Sequence, residues 1–586
     1  MSPLGKSCAG LAVALGILFS WGCSGMTGNP PAGAGPPPPV QQVQLSVTVA
    51  GAGTGTVTSS PAGINCSQGT CNGNFNSGST VTLTATPSTG FAFSGWSGAC
   101  SGPTTCSVTV SGTTAVTATF GATMQAINHI IFMAQENRSF DHYFGAMREY
   151  WAKNGFQDQA FDGLPQFNNP AGAAPANPGC DPAFPYSPTA NPPQTNDCVR
   201  DSNSPTITSY HLMTMCTENT SPFWNESHND WNPQNPVSAT ATLNGFVWTA
   251  GHFARGNNFF DTDGIRAMGY YDGNDLNYYY FMASNFATSD RWFSPVMTRT
   301  QVNRMYMLAA TSHGHVYPLS DTNSPQLSDP TIFNLLQNAG ITWKIYVPKG
   351  KSSATDPATL MSRSYMNQFT YGSVILNDPQ LSKNIVPLDQ YFTDLQNGTL
   401  PQVALIEPAS ELALDEHPSD LDQFPVDVQA GAQFVSSIIN ALMASSSWSS
   451  SAFILTWDEF GGAYDHVSPQ PAVSPDGIRP SDLQPGDVCT QVSGPNCDFT
   501  YTGFRVPFIL ISPFAKKNFV SHAVADYTAV LKFIETRFNL GNLTKRDAAQ
   551  IDMSQEFFDF TNVPWKTPPK PPPQNTNGPC YVDHLP

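Results

Sequence analysis

Short apolar runs alternate with amphipathic segments over most of the chain beyond residue 125. Continuous apolar runs at 127–133, 341–347, 402–406, 452–457 and 506–512 are typical of strands that are buried on both faces of a sheet. The segments between them place apolar residues at helical spacing. This alternation predicts an α/β domain over residues 125–570, in which a mostly parallel sheet is flanked by helices.

The helical segments carry recognisable start and stop signals. Asp329 is expected to cap one helix, with Pro330 in its first turn and Gly340 at its end. Two further helices are predicted from about 426 to 444 and over 527–538. The region 157–241 lacks such spacing and is rich in Pro, Asn and Asp, so we expect long loops or an irregular cap there.

Residues 43–121 show a different pattern. Polar and apolar residues alternate with period two at 45–49, 80–84 and 107–110, and Gly-rich turns separate these runs. Such alternation predicts a small antiparallel β module. It contains no acid–base or metal-binding combination, so a structural or spacer role is expected. Residues 571–586 are expected to form a C-terminal tail.

The N-terminus has the features of an export signal. Lys6 precedes the apolar segment 9–19, and small residues follow before Cys23. Residues 1–23 are therefore predicted to be a signal peptide and 24–42 a Pro/Gly-rich linker. We expect a secreted, cell-surface or periplasmic protein. Lipid anchoring at Cys23 and free secretion both stay open, because Ser20 stands where lipoprotein signals usually carry Leu.

No later apolar run approaches the roughly 20 residues that a bilayer-spanning helix requires. Any membrane contact of the mature chain is expected to be peripheral or through the lipid anchor. The formal net charge of -18 argues against a nucleic-acid partner, because phosphate backbones are bound by excess Lys and Arg. A phosphorylated substrate would therefore have to be attracted locally, by a cation or by placed Arg and His.

Cysteine usage agrees with an exported protein. Of the 12 cysteines, Cys8 and Cys23 lie in the predicted signal peptide, which leaves an even number for disulfides. Closeness in sequence suggests three pairs, Cys66–Cys71, Cys100–Cys106 and Cys489–Cys497. The sequence does not decide the pairing of four more: Cys180, Cys198, Cys216 and Cys580.

Acidic and amide side chains follow two of the predicted strands directly. Glu136 and Asn137 come after the run 127–133, and Asp458 and Glu459 come after the run 452–457. Open α/β sheets bind ligands at the carboxyl ends of their strands, and oxygen ligands suit hard cations. The sequence therefore predicts a divalent metal site, for which Ca, Mg, Mn, Fe and Zn all remain candidates.

Five segments occur in an order that points to a known family: 136–145, 268–271, 300–304, 416–418 and 458–466. Together they resemble the bacterial phosphoesterase family of phospholipases C and acid phosphatases, within the alkaline phosphatase superfamily. The resemblance implies an alkaline-phosphatase-like α/β fold. The β module in turn resembles extracellular bacterial repeat domains, on the basis of the Phe93-Ser94-Gly95-Trp96 segment.

The resemblance also implies roles for individual residues. Thr300 would be the nucleophile, because it stands three residues ahead of the Asn303-Arg304 pair; Val302 replaces the usual Pro, so Thr298 is a second candidate. Asn303 and Arg304 would belong to the catalytic set. The metal ligands would be Glu136, Asn137, Asp458 and Glu459. The general acid–base candidates are His228, His417 and His466, with His211 a less specific match.

The expected function is hydrolysis of phosphate esters at a metal site, most simply by a phospholipase C acting on phospholipid head groups. An acid phosphatase acting on phosphomonoesters is the alternative within this chemistry. A surface adhesin with an inactive enzyme-like domain is an alternative of another class. A sulfatase is disfavoured, because 300–304 lacks the Cys or Ser context that formylglycine formation needs. Gly461 and Gly462 are expected to form a tight turn beside the metal.

Overall fold

The structure is a computed structural model, and it describes residues 39–186, 198–318, 327, 329–351, 353, 355–368, 370–419 and 425–585. The predicted signal peptide, Cys23 and most of the predicted linker lie outside these residues. Within the described part of the chain, no helix combines the length and the apolar character that crossing a bilayer demands.

The α/β body is organised around one eight-stranded sheet. Neighbouring strands are parallel except at Phe508–Ile511, which runs antiparallel to both of its neighbours. This mixed, mostly parallel sheet confirms the predicted fold class. Across the sheet the strands are Ile385–Pro387, Trp343–Val347, Val403–Ile406, His129–Gln135, Ser451–Trp457, Phe508–Ile511, Ala287–Ser289 and Phe519–Ser521.

The predicted strands are found within a few residues of their expected bounds, because their runs are apolar on both faces. Every residue of Val403–Ile406, Ser451–Trp457 and Phe508–Ile511 is buried. Helices cover the sheet. The α-helices of the described chain are Phe140–Phe144, Met147–Asn154, Trp224–Trp231, Phe246–Asn257, Asn277–Asn285, Thr300–Ala309, Ile332–Asn338, Pro357–Met361, Thr370–Asn377, Pro379–Ser382, Asp389–Asn397, Val428–Ala444, Thr528–Phe538, Lys545–Ala548 and Met553–Glu556.

The cap predicted at Asp329 is wrong by two residues. The helix Ile332–Asn338 is capped by Thr331, which forms a capping box with Asn334. The backbone N–H of Thr331 donates to Asn334 Oδ1 at 2.9 Å, so the cap satisfies donors that Asp329 could not reach. The Oδ2 atom of Asp329 instead lies 3.3 Å from His313 Nδ1.

The described residues of the region 157–241 are largely irregular, as expected, with short strands at Ala176–Pro178, Thr206–Thr208 and Tyr210–His211. It also contains the helix Trp224–Trp231, which the sequence reading did not predict. That helix buries residues such as Trp224, His228 and Trp231 against the rest of the body.

The N-terminal module consists of two four-stranded sheets. Their pairings are antiparallel except between Gln42–Gly51 and Thr114–Ala122, which are parallel. The module has its own hydrophobic core, in which Phe93 packs edge-on against Trp96 at 4.9 Å between ring centroids. One sheet contains Gly69–Asn76, Gln42–Gly51, Thr114–Ala122 and Phe91–Gly98, and the other contains Asn65–Cys66, Gly55–Ser60, Ser79–Pro87 and Cys106–Val110.

The disulfides confirm the three pairs expected from sequence and add two that sequence left open, Cys180–Cys198 and Cys216–Cys580. The last of these joins the C-terminal tail to the α/β body. The tail is also held by its backbone, because Met215 N donates to Pro579 O at 2.7 Å and Tyr581 N donates to Thr214 Oγ1 at 2.9 Å. Residues 571–585 therefore pack against the body.

The Cys216–Cys580 bond should contribute more stability than the Cys489–Cys497 bond. It closes a sequence separation of 364 residues, against 8 residues for the other. In the chain-entropy account, replacing both cysteines of the long-range pair by Ser should cost on the order of 3 kcal/mol more than replacing both of the short-range pair. Equilibrium unfolding in denaturant measures the difference, and equal losses would contradict the expectation.

Candidate active site

Two adjacent strands bring the predicted ligands to one edge of the sheet. The parallel strands His129–Gln135 and Ser451–Trp457 are paired in register, with Gln135 opposite Trp457. The residues that follow therefore leave the sheet side by side. The backbone N–H of Asn137 donates to Asp458 Oδ1 at 3.1 Å, and the backbone N–H of Glu459 donates to the same oxygen at 2.9 Å.

A helix brings the candidate nucleophile to these residues. Thr300 is the first residue of the helix Thr300–Ala309, and its side-chain oxygen lies 3.2 Å from Glu136 Oε2 and 3.3 Å from Asn137 Oδ1. Thr298 points elsewhere, because its hydroxyl donates to the carbonyl of Val316 at 3.0 Å. Of the two candidate threonines, Thr300 is the one that contacts the acidic cluster.

Asn303 shapes the turn that leads into this helix. Its side-chain amide donates to the carbonyl of Thr298 at 2.6 Å, and its Oδ1 accepts from the backbone N–H of Val296 at 3.0 Å. These bonds fix the chain immediately before Thr300. The structure therefore gives Asn303 contacts with the backbone of the turn.

Arg304 lies four residues after Thr300 and so projects from the same side of the helix. Its guanidinium pairs with Glu136 Oε1 and has its Nε atom 3.6 Å from Asp458 Oδ2. The same group stacks over the Tyr365 ring at 4.6 Å. Arg304 thus links the carboxylate that follows one strand, Glu136, to the carboxylate that follows the other, Asp458.

The cluster buries more negative than positive charge. Glu136, Asp458 and Glu459 are all fully buried, whereas Arg304 is the guanidinium that pairs directly with two of them. Burial raises the pKa of Glu136 well above its usual value, although Arg304 opposes the change. Burial and the neighbouring Asp458 carboxylate raise the pKa of Glu459 in the same direction. A bound cation would relieve this excess of negative charge.

Two buried oxygens in the cluster lack any hydrogen-bond donor among the described residues. They are Asp458 Oδ2 and Glu459 Oε1. Buried oxygens are normally hydrogen-bonded, and carboxylate oxygens that lack a hydrogen-bond donor and lie beside further oxygen ligands fit a hard divalent cation. The residues that could hold such a cation are Glu136, Asn137, Asp458 and Glu459.

A glycine turn closes over this cluster. Gly461 and Gly462 have φ angles of 71° and 72°, a left-handed conformation that favours glycine. A side chain at Gly461 would also approach the carbonyl oxygen of Asn137 to 2.3 Å. The backbone N–H of Gly461 donates to Glu459 Oε2 at 2.6 Å. This geometry confirms the predicted tight turn.

His466 belongs to a second charged cluster. Its Nδ1 lies 2.6 Å from Asp141 Oδ2, and its Nε2 lies 3.0 Å from Asp162 Oδ1. Burial lowers the pKa of His466, but the two carboxylates outweigh burial and raise it to about 9. Both ring nitrogens therefore act as donors, and the imidazole is a cation at neutral pH.

This second cluster is itself paired by a buried guanidinium. Asp141, Asp465 and His466 lie close enough to share an ion, yet Arg505 already pairs with Asp465 at 2.8 Å and with Asp141 at 3.1 Å. Such pairing satisfies the carboxylates without a metal.

The other histidine candidates have different surroundings. His228 is buried on the helix Trp224–Trp231, with its ring nitrogens 2.7 Å and 3.2 Å from the carbonyls of Trp224 and Asn496, and burial lowers its pKa to about 4. His417 is half-buried; its Nδ1 lies 2.6 Å from the carbonyl of Pro418, and its Nε2 has no hydrogen-bond partner among the described residues.

His211 stands apart from the Thr300 cluster in its contacts. Its Nε2 lies 2.7 Å from Asp275 Oδ2 and 3.9 Å from Asp272 Oδ1. These partners raise the pKa of His211, chiefly through the hydrogen bond to Asp275. The described hydrogen bonds of His211 do not connect it to the nucleophile candidate.

Two buried residues in the family-like segments were missed in the sequence reading. His142 borders the same small cavity as Asn137 and Gly461. Glu416 is fully buried and accepts hydrogen bonds from several side chains. Both lie inside segments that the sequence reading singled out, but nothing in the sequence shows that they are buried.

The imidazolium of His466 should make stability depend on pH. A folded pKa near 9, above the ordinary 6.5, contributes stability that is complete below about pH 6.5 and is lost as the pH rises through 9. Asp162→Asn removes one carboxylate partner and should lower that pKa. The stability gap between wild type and variant should therefore shrink by about 1–2 kcal/mol between pH 6 and pH 10.

Denaturant unfolding across this pH range measures the gap. Asp158→Asn is the matched control, because Asp158 pairs with Arg148 at the surface, at 2.7 Å, and has no histidine partner among its described contacts. The stability difference between wild type and Asp158→Asn should stay constant from pH 6 to pH 10. A constant gap for Asp162→Asn would contradict the assigned charge state of His466.

The chain is similar to several known proteins over most of its length. Phospholipase C B of Mycobacterium tuberculosis is 29% identical over 476 residues, which cover 76% of this chain and 80% of that protein. Non-hemolytic phospholipase C of Burkholderia pseudomallei is 26% identical, with 78% of this chain and 64% of that protein covered. Non-specific phospholipase C4 of Arabidopsis thaliana is 27% identical, with 73% and 71% covered.

Among solved structures, a protein in the alkaline phosphatase superfamily from Vibrio parahaemolyticus matches with a TM-score of 0.26 and 12% identity, covering 47% of this chain and 62% of that one. The sequence model of the divergent InlB B-repeat domain matches residues 45–124. The model described as the Phosphoesterase family matches residues 127–541, which is more than half of the chain. The chain therefore belongs to the phosphoesterase family.

Proposed function

We propose that the chain is a metal-dependent phosphoesterase that acts as a phospholipase C, with Thr300 as its nucleophile. The observation that supports this most strongly is the position of the Thr300 hydroxyl, 3.2 Å and 3.3 Å from the side-chain oxygens of Glu136 and Asn137 at the start of a helix. The substrate class is supported by the relatives that are named phospholipases C.

Glu136, Asn137, Asp458 and Glu459 would hold one divalent cation, with Ca, Mg, Mn, Fe and Zn as candidates. Bound there, the cation would supply positive charge that favours the deprotonated Thr300 hydroxyl and offsets the charge of the phosphate. The oxygens of Asp458 and Glu459 that lack a hydrogen-bond donor among the described residues support this assignment. So does the excess of buried carboxylates over guanidinium groups.

The chain's own residues would then carry out the displacement in two steps. Thr300 Oγ1 gives up its proton and attacks phosphorus, the bond from phosphorus to the glycerol oxygen breaks, and that oxygen takes up a proton as diacylglycerol leaves and a phosphothreonine diester forms. Water then loses a proton and attacks phosphorus, the bond to Thr300 breaks, Thr300 Oγ1 regains a proton, and the phosphorylated head group is released. The N-terminal N–H groups of the helix Thr300–Ala309 and the Arg304 guanidinium would stabilise negative charge on phosphate oxygens.

His417 is the proposed proton carrier of these steps. Its Nε2 has no hydrogen-bond partner within the described chain, and it directly follows the buried Glu416. His466, a cation held by two carboxylates, and His228, enclosed by two carbonyls, suit orienting roles better than proton transfer. Proton transfer needs a group that can gain and lose a proton near the working pH.

Hydrolysis of phosphomonoesters is the second candidate, because it would use the same Thr300 nucleophile and the same proposed metal ligands. An adhesin with an inactive enzyme-like domain is the alternative of another class. Turnover of p-nitrophenyl phosphate and of p-nitrophenylphosphorylcholine, with and without chelator, separates the three. Hydrolysis of neither by folded, metal-loaded protein would favour the adhesin.

Export to an oxidising compartment is part of the proposal. The disulfides, including Cys180–Cys198 and Cys216–Cys580, support a location outside the cytoplasm, because thiols stay reduced inside most cells. We propose a secreted, periplasmic or cell-surface protein, with Cys23 as the candidate lipid anchor and membrane contact that is peripheral.

Thr300→Ala should abolish turnover and leave thermal stability nearly unchanged. Loss of the attacking hydroxyl should lower kcat by about a thousandfold or more, whereas the removed atoms contribute little packing. The measurement is steady-state hydrolysis of p-nitrophenylphosphorylcholine together with a thermal melt. Thr298→Ala is the matched control and should keep substantial activity. An active Thr300→Ala protein beside an inactive Thr298→Ala protein would move the nucleophile to Thr298.

Asp458→Asn should lower metal content and rate together. The substitution keeps the shape of the side chain but removes a formal charge from the cluster, and hard cations prefer charged oxygen ligands. Elemental analysis of the purified variant, compared with wild type, measures the effect. Wild-type metal content in the variant would exclude Asp458 from direct coordination.

A further inference from the structure

Glu416 is a fully buried carboxylate that receives hydrogen bonds from four side chains. Its Oε1 accepts from Tyr279 Oη at 2.5 Å and from Gln135 Nε2 at 3.2 Å. Its Oε2 accepts from Tyr143 Oη at 2.7 Å and from Trp457 Nε1 at 3.1 Å. These donors come from separate parts of the chain, so the carboxylate joins parts of the chain that are far apart in sequence.

Two of the four donors directly precede the candidate metal ligands. Gln135 is followed by Glu136 and Asn137, and Trp457 is followed by Asp458 and Glu459. The side chains of Gln135 and Trp457 are therefore held by one carboxylate at the point where both strands end. One carboxylate therefore accepts from the last residue of each strand, and each of these residues directly precedes a proposed ligand pair.

The backbone of Glu416 adds a third connection. Arg138, which directly follows Asn137, donates through Nε to the carbonyl oxygen of Glu416 at 3.0 Å. Glu416 has a φ angle of 72°, a left-handed value that is uncommon outside glycine and asparagine. The residues on both sides of the pair Glu136-Asn137 are thus bonded to Glu416, one through its side chain and one through its backbone.

The surroundings leave Glu416 little freedom to move. A side chain at Gly431, on the helix Val428–Ala444, would lie 2.3 Å from Glu416 Cγ. The Tyr143 and Tyr279 rings also pack against Trp457, with centroids 5.3 Å and 5.2 Å away. A carboxylate held this firmly can impose its position on the groups that donate to it.

We infer that Glu416 is a positioning residue that sets the distance between the ligand pairs Glu136-Asn137 and Asp458-Glu459. This inference rests on the proposed function, because it concerns the metal site proposed there. Groups that hold metal ligands from behind tune metal affinity without touching the ion. Glu416 would do so through Gln135, Arg138 and Trp457.

The test measures metal binding by chelator-treated protein, with Ca²⁺, Mn²⁺ and Zn²⁺ each added alone. Glu416→Ala should weaken the binding that wild type shows by about tenfold to a hundredfold. Glu416→Gln keeps one acceptor oxygen and so retains part of the hydrogen bonds. Its metal affinity should therefore lie between those of wild type and Glu416→Ala. The kcat of Glu416→Ala, expressed as a fraction of the wild-type kcat, should be higher at saturating metal than at limiting metal.

Glu535→Ala is the matched control. Glu535 lies on the helix Thr528–Phe538 and is also buried. It accepts hydrogen bonds from Asn542 Nδ2 at 2.8 Å and from Leu543 N at 3.2 Å. Its loss should lower the melting temperature without changing metal affinity. Unchanged metal affinity in folded Glu416→Ala protein would overturn the inference.

A variant with a smaller change covers the case in which Glu416→Ala does not fold. Trp457→Phe removes the Nε1 donor and keeps an aromatic ring in the core. It should weaken metal affinity in the same direction, by less than Glu416→Ala, and unchanged affinity would again contradict the inference. Failure of the proposed function looks different, because wild type itself would then bind none of the three metals.

Discussion

The structure depends on one electrostatic constraint, the burial of three carboxylates at the ends of two adjacent parallel strands. Glu136, Asp458 and Glu459 are removed from water, and the Arg304 guanidinium pairs with two of them. Isolated buried charge is costly, so such a cluster needs either protonation or further positive charge. A divalent cation would supply that charge, and we propose that it binds beside the Asp458 and Glu459 oxygens that lack a hydrogen-bond donor among the described residues.

The groups around this cluster serve to hold it in place. Glu416 bonds to residues next to both proposed ligand pairs, and the Asp141–Arg505–His466 cluster joins the segments 136–145 and 458–466, which contain those pairs. The Cys216–Cys580 disulfide ties the tail to a segment that includes Thr217, whose hydroxyl accepts from Arg138 at 3.0 Å. Only 12% of the chain is charged, yet buried charges gather around this edge of the sheet.

Local patterns in the sequence were enough to predict much of this arrangement. Runs such as 452–457 are apolar on both faces, which only a central strand requires, and the acids that follow such runs were expected at one edge of the sheet. Disulfide partners close in sequence were also readable. The helix cap was misplaced, because the reciprocal bonds of Thr331 with Asn334 competed successfully with Asp329.

Long-range contacts could not be read from the sequence. The antiparallel course of Phe508–Ile511 and the Cys216–Cys580 pair depend on segments that meet only in the folded chain. The surroundings of the histidines are of the same kind. His466 meets Asp141 across 325 positions, and Glu416 meets Gln135 across 281. Nothing local marks such residues as partners.

The most direct measurement is anomalous diffraction from crystals of the protein soaked in Mn²⁺. We expect one peak within about 2.0–2.6 Å of oxygens of Asp458 and Glu459, with Glu136 and Asn137 completing the coordination. A peak confined to Asp141, Asp465 and His466, or no peak at all in crystals of protein that hydrolyses phosphate esters, would contradict it.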